Sequence, residues 1–170
     1  IAPDYKMWPP EHHQAILFKG AEIPKNETKY AKQILTRFMK RAYRRPATKN
    51  EINEVLSFYR EIRPQYETFI ETMRQALSMV LISPQFLYLL EPSPLGKGVR
   101  DLTPHEVASR LSYFLWSNIP DEELLELAAS KRLLKPNVLN KQIQRMLDAP
   151  QANRFVEQFT DQWLDLPALD

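Results

Sequence analysis

Four groups of residues in this 170-residue chain carry side chains able to do chemistry: His12-His13, His105-Glu106, Asp121-Glu122-Glu123, and a basic run of Arg37, Lys40, Arg41, Arg44 and Arg45, with Arg110 further on. A helical zinc pair needs two histidines four apart with a glutamate between them, and adjacent histidines diverge in most backbone conformations, so no metal site is expected at His12-His13. His105 falls at a helix start beside Glu106, where an exposed first-turn residue is the ordinary outcome. Acid/base work at Asp121-Glu122-Glu123 would need a second carboxylate across a cleft, and nothing marks one. Three acids opening a helix are explained instead by the macrodipole and the unpaired N–H groups there. No serine has a glycine-flanked elbow, and three glycines without motif spacing make no phosphate loop. No catalytic residue is therefore assigned, no cofactor-binding residue is identified, and whether the chain is part of an enzyme stays open.

The cations are the stronger candidates. Arg37, Lys40, Arg41, Arg44 and Arg45 fall mostly on the polar side of one helix with Lys49 just beyond, a stripe able to contact phosphates or an acidic partner domain. Glu51, Glu54, Glu61 and Glu67 are near enough in sequence to pair with it, and the formal net charge is only +2, so no nucleic-acid partner is expected. Arg44 and Arg45 could alternatively cap carbonyls at the end of their own helix. Arg110 shares a helix with Tyr113, Phe114 and Trp116; the reading preferred is a guanidinium stacked on an aromatic or paired with Glu157 or Asp161, ahead of one holding a ligand carboxylate. Tyr43, Tyr59, Tyr88, Trp116 and Trp163 are read as core aromatics with one polar tip satisfied.

The elements that must position these groups are helical. Apolar residues make up 44% and charged residues 26%, ordinary values for a folded chain, and punctuation falls to 14 prolines. Zero cysteines exclude disulfides, thiolate metal sites and the Cys-x-x-Cys-His attachment of haem c within this chain. Residues 1–25, with Pro3, Pro9, Pro10 and Pro24, are expected to be an extended lead-in anchored by Trp8 and Phe18. From an N-cap at Asn26, Tyr30, Ile34, Leu35, Phe38 and Ala42 form a helical stripe that Pro46 terminates. Thr48-Lys-Asn-Glu51 is a capping box, and the helix it opens buries Ile52, Val55, Leu56, Tyr59 and Ile62. A third helix starts near Pro64 and presents Phe69, Met73, Ala76, Leu77, Val80 and Leu81, and Ser83-Pro84 restarts a short one. The uncharged run Gln75–Leu90 is too short to span a bilayer and is read as buried core.

Residues 93–101 concentrate Pro, Gly and charge and are expected to link a first domain, 26–92, to a second, 102–170. Thr103-Pro-His-Glu106 is a second capping box whose helix turns Val107, Leu111, Phe114 and Leu115 inward. Further helices run over about 121–130, from Pro136 with Val138, Leu139, Ile143, Met146 and Leu147, and over about 150–164 with Ala152, Phe155, Val156, Phe159 and Trp163 on one stripe. No strand alternation appears, so the expected fold is all-α: a multi-helix bundle in two small lobes with no significant sheet.

Two blocks together resemble adjoining helical domains of unknown function from planctomycete-type, cytochrome c-associated envelope proteins. The first is Ile34-Leu-Thr-Arg-Phe-Met-Lys-Arg-Ala-Tyr-Arg-Arg-Pro46, Glu51 to Tyr59, and Ala76 to Tyr88. The second is Leu102 to Ser117, Pro120-Asp-Glu-Glu-Leu124, Arg145-Met-Leu147 and Phe155 to Trp163. The resemblance implies a secreted, periplasmic or cell-surface protein in which a separate module carries haem c, with no cofactor in this chain and other domains of the same parent as partners. The chain departs from that pattern in lacking cysteines near Tyr30 and Ala31, and it is read as a fragment. The function expected is that of a non-catalytic structural or interaction module of a larger haem-associated protein. Two alternatives are carried: part of an envelope redox or carbohydrate-active enzyme whose chemistry lies in other domains, and, more weakly, a nucleic-acid-binding helical domain.

Overall fold

The computed structural model describes residues 11–18, 26–89 and 98–164. Those residues are helical with no strand, the all-α class the sequence predicts. The chain divides into two compact units, residues 1–88 and 89–170.

The first unit is built on three helices, α2 (Glu27–Ala42), α3 (Lys49–Ile62) and α4 (Phe69–Leu81), which pack pairwise, with α1 (Glu11–Ile16) and the single-turn α5 (Pro84–Leu87) at its edges. Asn26 caps α2 through its side chain, which accepts from the Lys29 amide at 3.0 Å. Tyr30, Ile34, Leu35 and Met39 of α2, Val55, Leu56 and Tyr59 of α3, and Phe69, Met73 and Val80 of α4 are buried together. Their rings interlock: Phe18 meets Tyr30 edge-on at 5.3 Å, Tyr30 stacks on Phe69 at 5.4 Å, and Tyr59 meets Phe69 at 6.1 Å. Phe18 thus anchors the chain ahead of α2 as expected, whereas Trp8 lies outside the described residues.

Three boundaries depart from the sequence reading. The helix α1 occupies part of the expected extended lead-in. The segment at Pro64 is only a 3-10 turn over Arg63–Gln65, because a capping box at Thr68 and Glu71 starts α4 five residues later than its prolines imply. The apolar run ending at Leu90 is only half core: Leu81, Ile82, Leu87, Tyr88 and Leu89 are exposed, since α4 stops at Leu81 and one turn of α5 cannot turn every residue inward.

In the second unit α6 (Pro104–Trp116) packs against α7 (Glu122–Ala129), α8 (Pro136–Asp148) and α9 (Asn153–Leu164). Leu124, Leu133 and Met146 are fully buried around Ala108, Leu115 and Trp116. The expected inward face of α6 is rotated. Its buried positions are Ala108, Ser109, Ser112, Leu115 and Trp116, because small residues let the neighbouring helix approach and the Ser112 hydroxyl donates to the Asn118 carbonyl at 2.9 Å. Phe114, expected inside, is exposed and lies against Phe155. Leu147, expected to line the core, is exposed as well, while Gln142 of the same helix is buried. Of the expected linker, positions 93–97 lie outside the described residues.

Only three glycines serve the whole chain, and helix ends that ordinarily take glycine are closed by other residues. Arg44, Ser117 and Lys131 adopt left-handed backbone at φ 58°, 50° and 57° beyond the ends of α2, α6 and α7. Side chains from elsewhere complete the closure. The Trp116 indole N–H donates to the Met146 carbonyl at 2.9 Å in the last turn of α8.

Candidate functional site

The basic run does not form one face. The helix ends at Ala42, not at Pro46, and the left-handed turn at Arg44 sends its side chain inward, where it is 5% exposed. Its guanidinium donates to the carbonyls of Gln85 (2.7 Å), Tyr88 (2.8 Å), Phe86 (3.1 Å) and Ala42 (3.2 Å), closing the C-terminal end of α5 as well as that of its own helix. The sequence reading anticipated a carbonyl cap for Arg44 but placed it on its own helix alone.

Arg45 is held by Glu51 through two hydrogen bonds of 2.7 and 3.0 Å, and also donates to the Pro46 carbonyl. Glu51 in turn accepts from the Thr48 amide at 2.7 Å, completing the capping box. The hydrogen bond from Arg45 lowers the Glu51 pKa from 4.5 to about 2. The same device recurs in the second unit. Arg100 donates to Glu106 at 2.6 and 2.8 Å and to the Asp101 carbonyl, while Glu106 accepts from the Thr103 amide at 2.7 Å, and its pKa falls to about 2, chiefly through Arg100. Both follow the pattern Arg-x-x-Thr-x-x-Glu.

Asp121 caps α7, accepting from the Leu124 amide at 2.9 Å. Arg145 of α8 donates to both its oxygens at 2.7 and 3.3 Å and to the Gln142 side chain at 2.8 Å, and Gln142 donates to Glu123 at 2.7 Å. The Arg145 guanidinium also lies 5.4 Å from the centre of the Trp116 ring. Stacking was expected of Arg110, which is exposed on α6 and is itself engaged in an interaction there. Asp121 and Glu123 therefore work at a helix start and tie α7 to α8. Sequence reasoning missed Arg145 in this role; its signal was a cation on an amphipathic helix one turn from the buried Gln142.

His105 lies in the first turn of α6 and is partly buried, and the side chains of His12 and His13 lie outside the described residues. Among the described residues no group of three or more His, Asp or Glu side chains could hold a metal ion. No described helix is long and apolar enough to cross a membrane.

Two surfaces remain. On α9, Phe155 meets Phe114 at 4.9 Å and Phe159 at 5.7 Å, and Phe159 meets Trp163 at 6.0 Å, a ladder of rings. Phe114, Phe159 and Trp163 are 63%, 52% and 72% exposed, so the stripe expected to bury itself faces outward over most of its length. On α2, Lys29, Lys32, Gln33, Thr36 and Arg37 line an open groove of about 540 Å³ with Phe18, whose ring lies 4.4 Å beneath the Arg37 guanidinium.

No curated protein and no solved structure matches the chain. Two domain families do: residues 30–91 match PSD5, protein of unknown function (DUF1595), and residues 102–170 match PSD4, protein of unknown function (DUF1592). The chain carries two adjoining domains of unknown function, one on each of its helical blocks.

Proposed function

We propose that this chain is a non-catalytic structural or interaction module of a larger secreted, haem-associated protein, and that its partners are other domains of the same parent. The observation that carries the reading is the exposed ladder Phe114, Phe155, Phe159 and Trp163. A contiguous apolar face of this kind marks an interaction site on a folded domain. The use of polar side chains supports it: Arg44, Glu51, Glu106, Asp121 and Arg145 are engaged in closing helix ends and tying helices together. In this reading haem c belongs to a separate module, and the compartment is the periplasm, the cell surface or the exterior; both rest on the resemblance to planctomycete-type, cytochrome c-associated proteins.

Amide hydrogen exchange of α9 tests it, measured on this 170-residue chain and on the longest natural polypeptide that contains it. The reading requires α9 to exchange much more slowly in the longer protein, with the difference abolished by Phe159→Ser. Equal exchange in both would remove the ladder as an interdomain surface.

A further inference from the structure

The outward side of α2 is strongly basic. Lys29, Lys32, Arg37, Lys40 and Arg41 lie along it at helical spacing, opposite the buried face formed by Tyr30, Ile34, Leu35 and Ala42. The sole acid of the helix, Glu27, is at its start and is held by Arg63 at 2.9 Å. Among the described residues no carboxylate comes within ion-pair distance of Lys29, Lys32 or Arg37. Lys29 sits in the first helical turn, where the macrodipole disfavours a cation. Breaking a local preference of this kind points to selection by something outside the helix.

The near-neutral total also conceals a division of charge. Residues 1–88 carry 14 Lys and Arg against 9 Asp and Glu, and residues 89–170 carry 9 against 12. The stripe runs for about 18 Å along the helix axis, with cations at 29 and 32 and again at 37, 40 and 41. At its centre the small Thr36 sits between Lys32 and Arg37, in the groove of about 540 Å³.

We infer that this face of α2 docks an acidic helical segment of another polypeptide, its carboxylates presented at i, i+4 and i+7 to Lys29, Lys32 and Arg37, with one side chain of the segment seated over Thr36. The three cations, at i, i+3 and i+8, span about 12 Å of helix axis and the three carboxylates about 10.5 Å, a difference that long lysine and arginine side chains absorb, and complementary charge sets the orientation. The geometry disfavours single-stranded nucleic acid. Such ligands stack bases on open aromatic faces, whereas the Phe18 ring is covered by Arg37 on one side and engaged edge-on with Tyr30.

The test uses the full 170-residue chain and three probes in fluorescence anisotropy: a labelled helical peptide of about four turns with glutamates at i, i+4 and i+7, a scrambled peptide of equal composition, and a dT20 oligonucleotide. The helical peptide should bind at least about fivefold more tightly than either alternative, and weaken at least about fivefold between about 50 and about 200 mM salt. Lys29→Glu/Lys32→Glu should weaken it about tenfold or more; these exposed reversals bring acids toward the start of α2, which the dipole favours, so the fold persists. Lys131→Glu/Lys141→Glu in the second unit should leave it unchanged. Tighter binding of dT20, equal binding of the scrambled peptide, no binding, or indifference to the α2 reversals would overturn the inference. So would a concentration-dependent dimer by sedimentation that those reversals dissolve, because the occupant would then be a second copy.

Discussion

Replacing Glu51 or Glu106 by glutamine removes a charge while keeping a side chain able to complete the capping box, so it isolates what the arginine contributes. Each glutamate is well covered, with side chains 16% and 13% exposed, and each accepts two hydrogen bonds from one guanidinium. Holding a carboxylate at about 2 instead of 4.5 corresponds at most to about 3 kcal/mol. The arginines are about a third exposed, and screening by water reduces this to about 1–2 kcal/mol for each box. Thr68 and Glu71 form the control, a capping box whose corresponding upstream residue is Gln65 instead of arginine. Glu71→Gln should therefore cost less than either of the others in urea unfolding at pH 7. The pH dependence has a fixed sign. A depressed carboxylate pKa stabilises the fold above pH 4.5, and that contribution disappears as pH falls from 4.5 toward 2. The Glu51→Gln/Glu106→Gln protein should lose less stability across that window than the parent. An equal cost at Glu71, or an unchanged acid profile in the double variant, would refute the account.

Left-handed helix ends give a pair of opposite signs. Lys131→Gly relieves an exposed residue at φ 57° and should stabilise by up to about 1 kcal/mol in thermal unfolding, whereas Arg44→Gly, at nearly the same φ, should destabilise by about 2–4 kcal/mol because the partly buried carbonyls at the end of α5 lose their donor. Trp116→Phe keeps an aromatic ring but strands the Met146 carbonyl and should cost about 1–3 kcal/mol, measured by urea unfolding. Leu124→Ala, at a fully buried site against α6, should cost about 3 kcal/mol by the same measurement.

Helices with a strong start signal were legible in the sequence, as at Asn26, Thr48, Thr103 and Pro136. The start of α4 was not, because Pro64 opens a 3-10 turn with the same residue type that opens a helix, while Thr68-x-x-Glu71 is the box that sets α4. Faces were legible where large apolar residues lined the core, as in α2 and α3. They were not legible in α6, whose core-facing positions include Ala108, Ser109 and Ser112 because close packing there requires small side chains. Hydrophobicity likewise placed Phe114, Phe159 and Trp163 inside. Periodicity reports that a helix has an apolar side, and says nothing of whether another element covers it.

The arginines illustrate a deeper reason for the gap between sequence and site. With few glycines to close helices, Arg44 caps α5, Arg45 and Arg100 clamp capping boxes, and Arg145 joins the start of α7 to the last turn of α8. Each of these partnerships follows from where a helix ends in space, which a one-dimensional stripe of cations cannot convey. The same accounting separates structural charge from available charge. Cations at helix ends are drawn into carbonyls and carboxylates, whereas Lys32 and Arg37 project from the side of α2, where the backbone groups are already paired within the helix, and Arg37 in doing so covers the Phe18 ring. A basic residue such as Lys32 has no helix end to close, and the origin of its placement is better sought in a partner than in the fold.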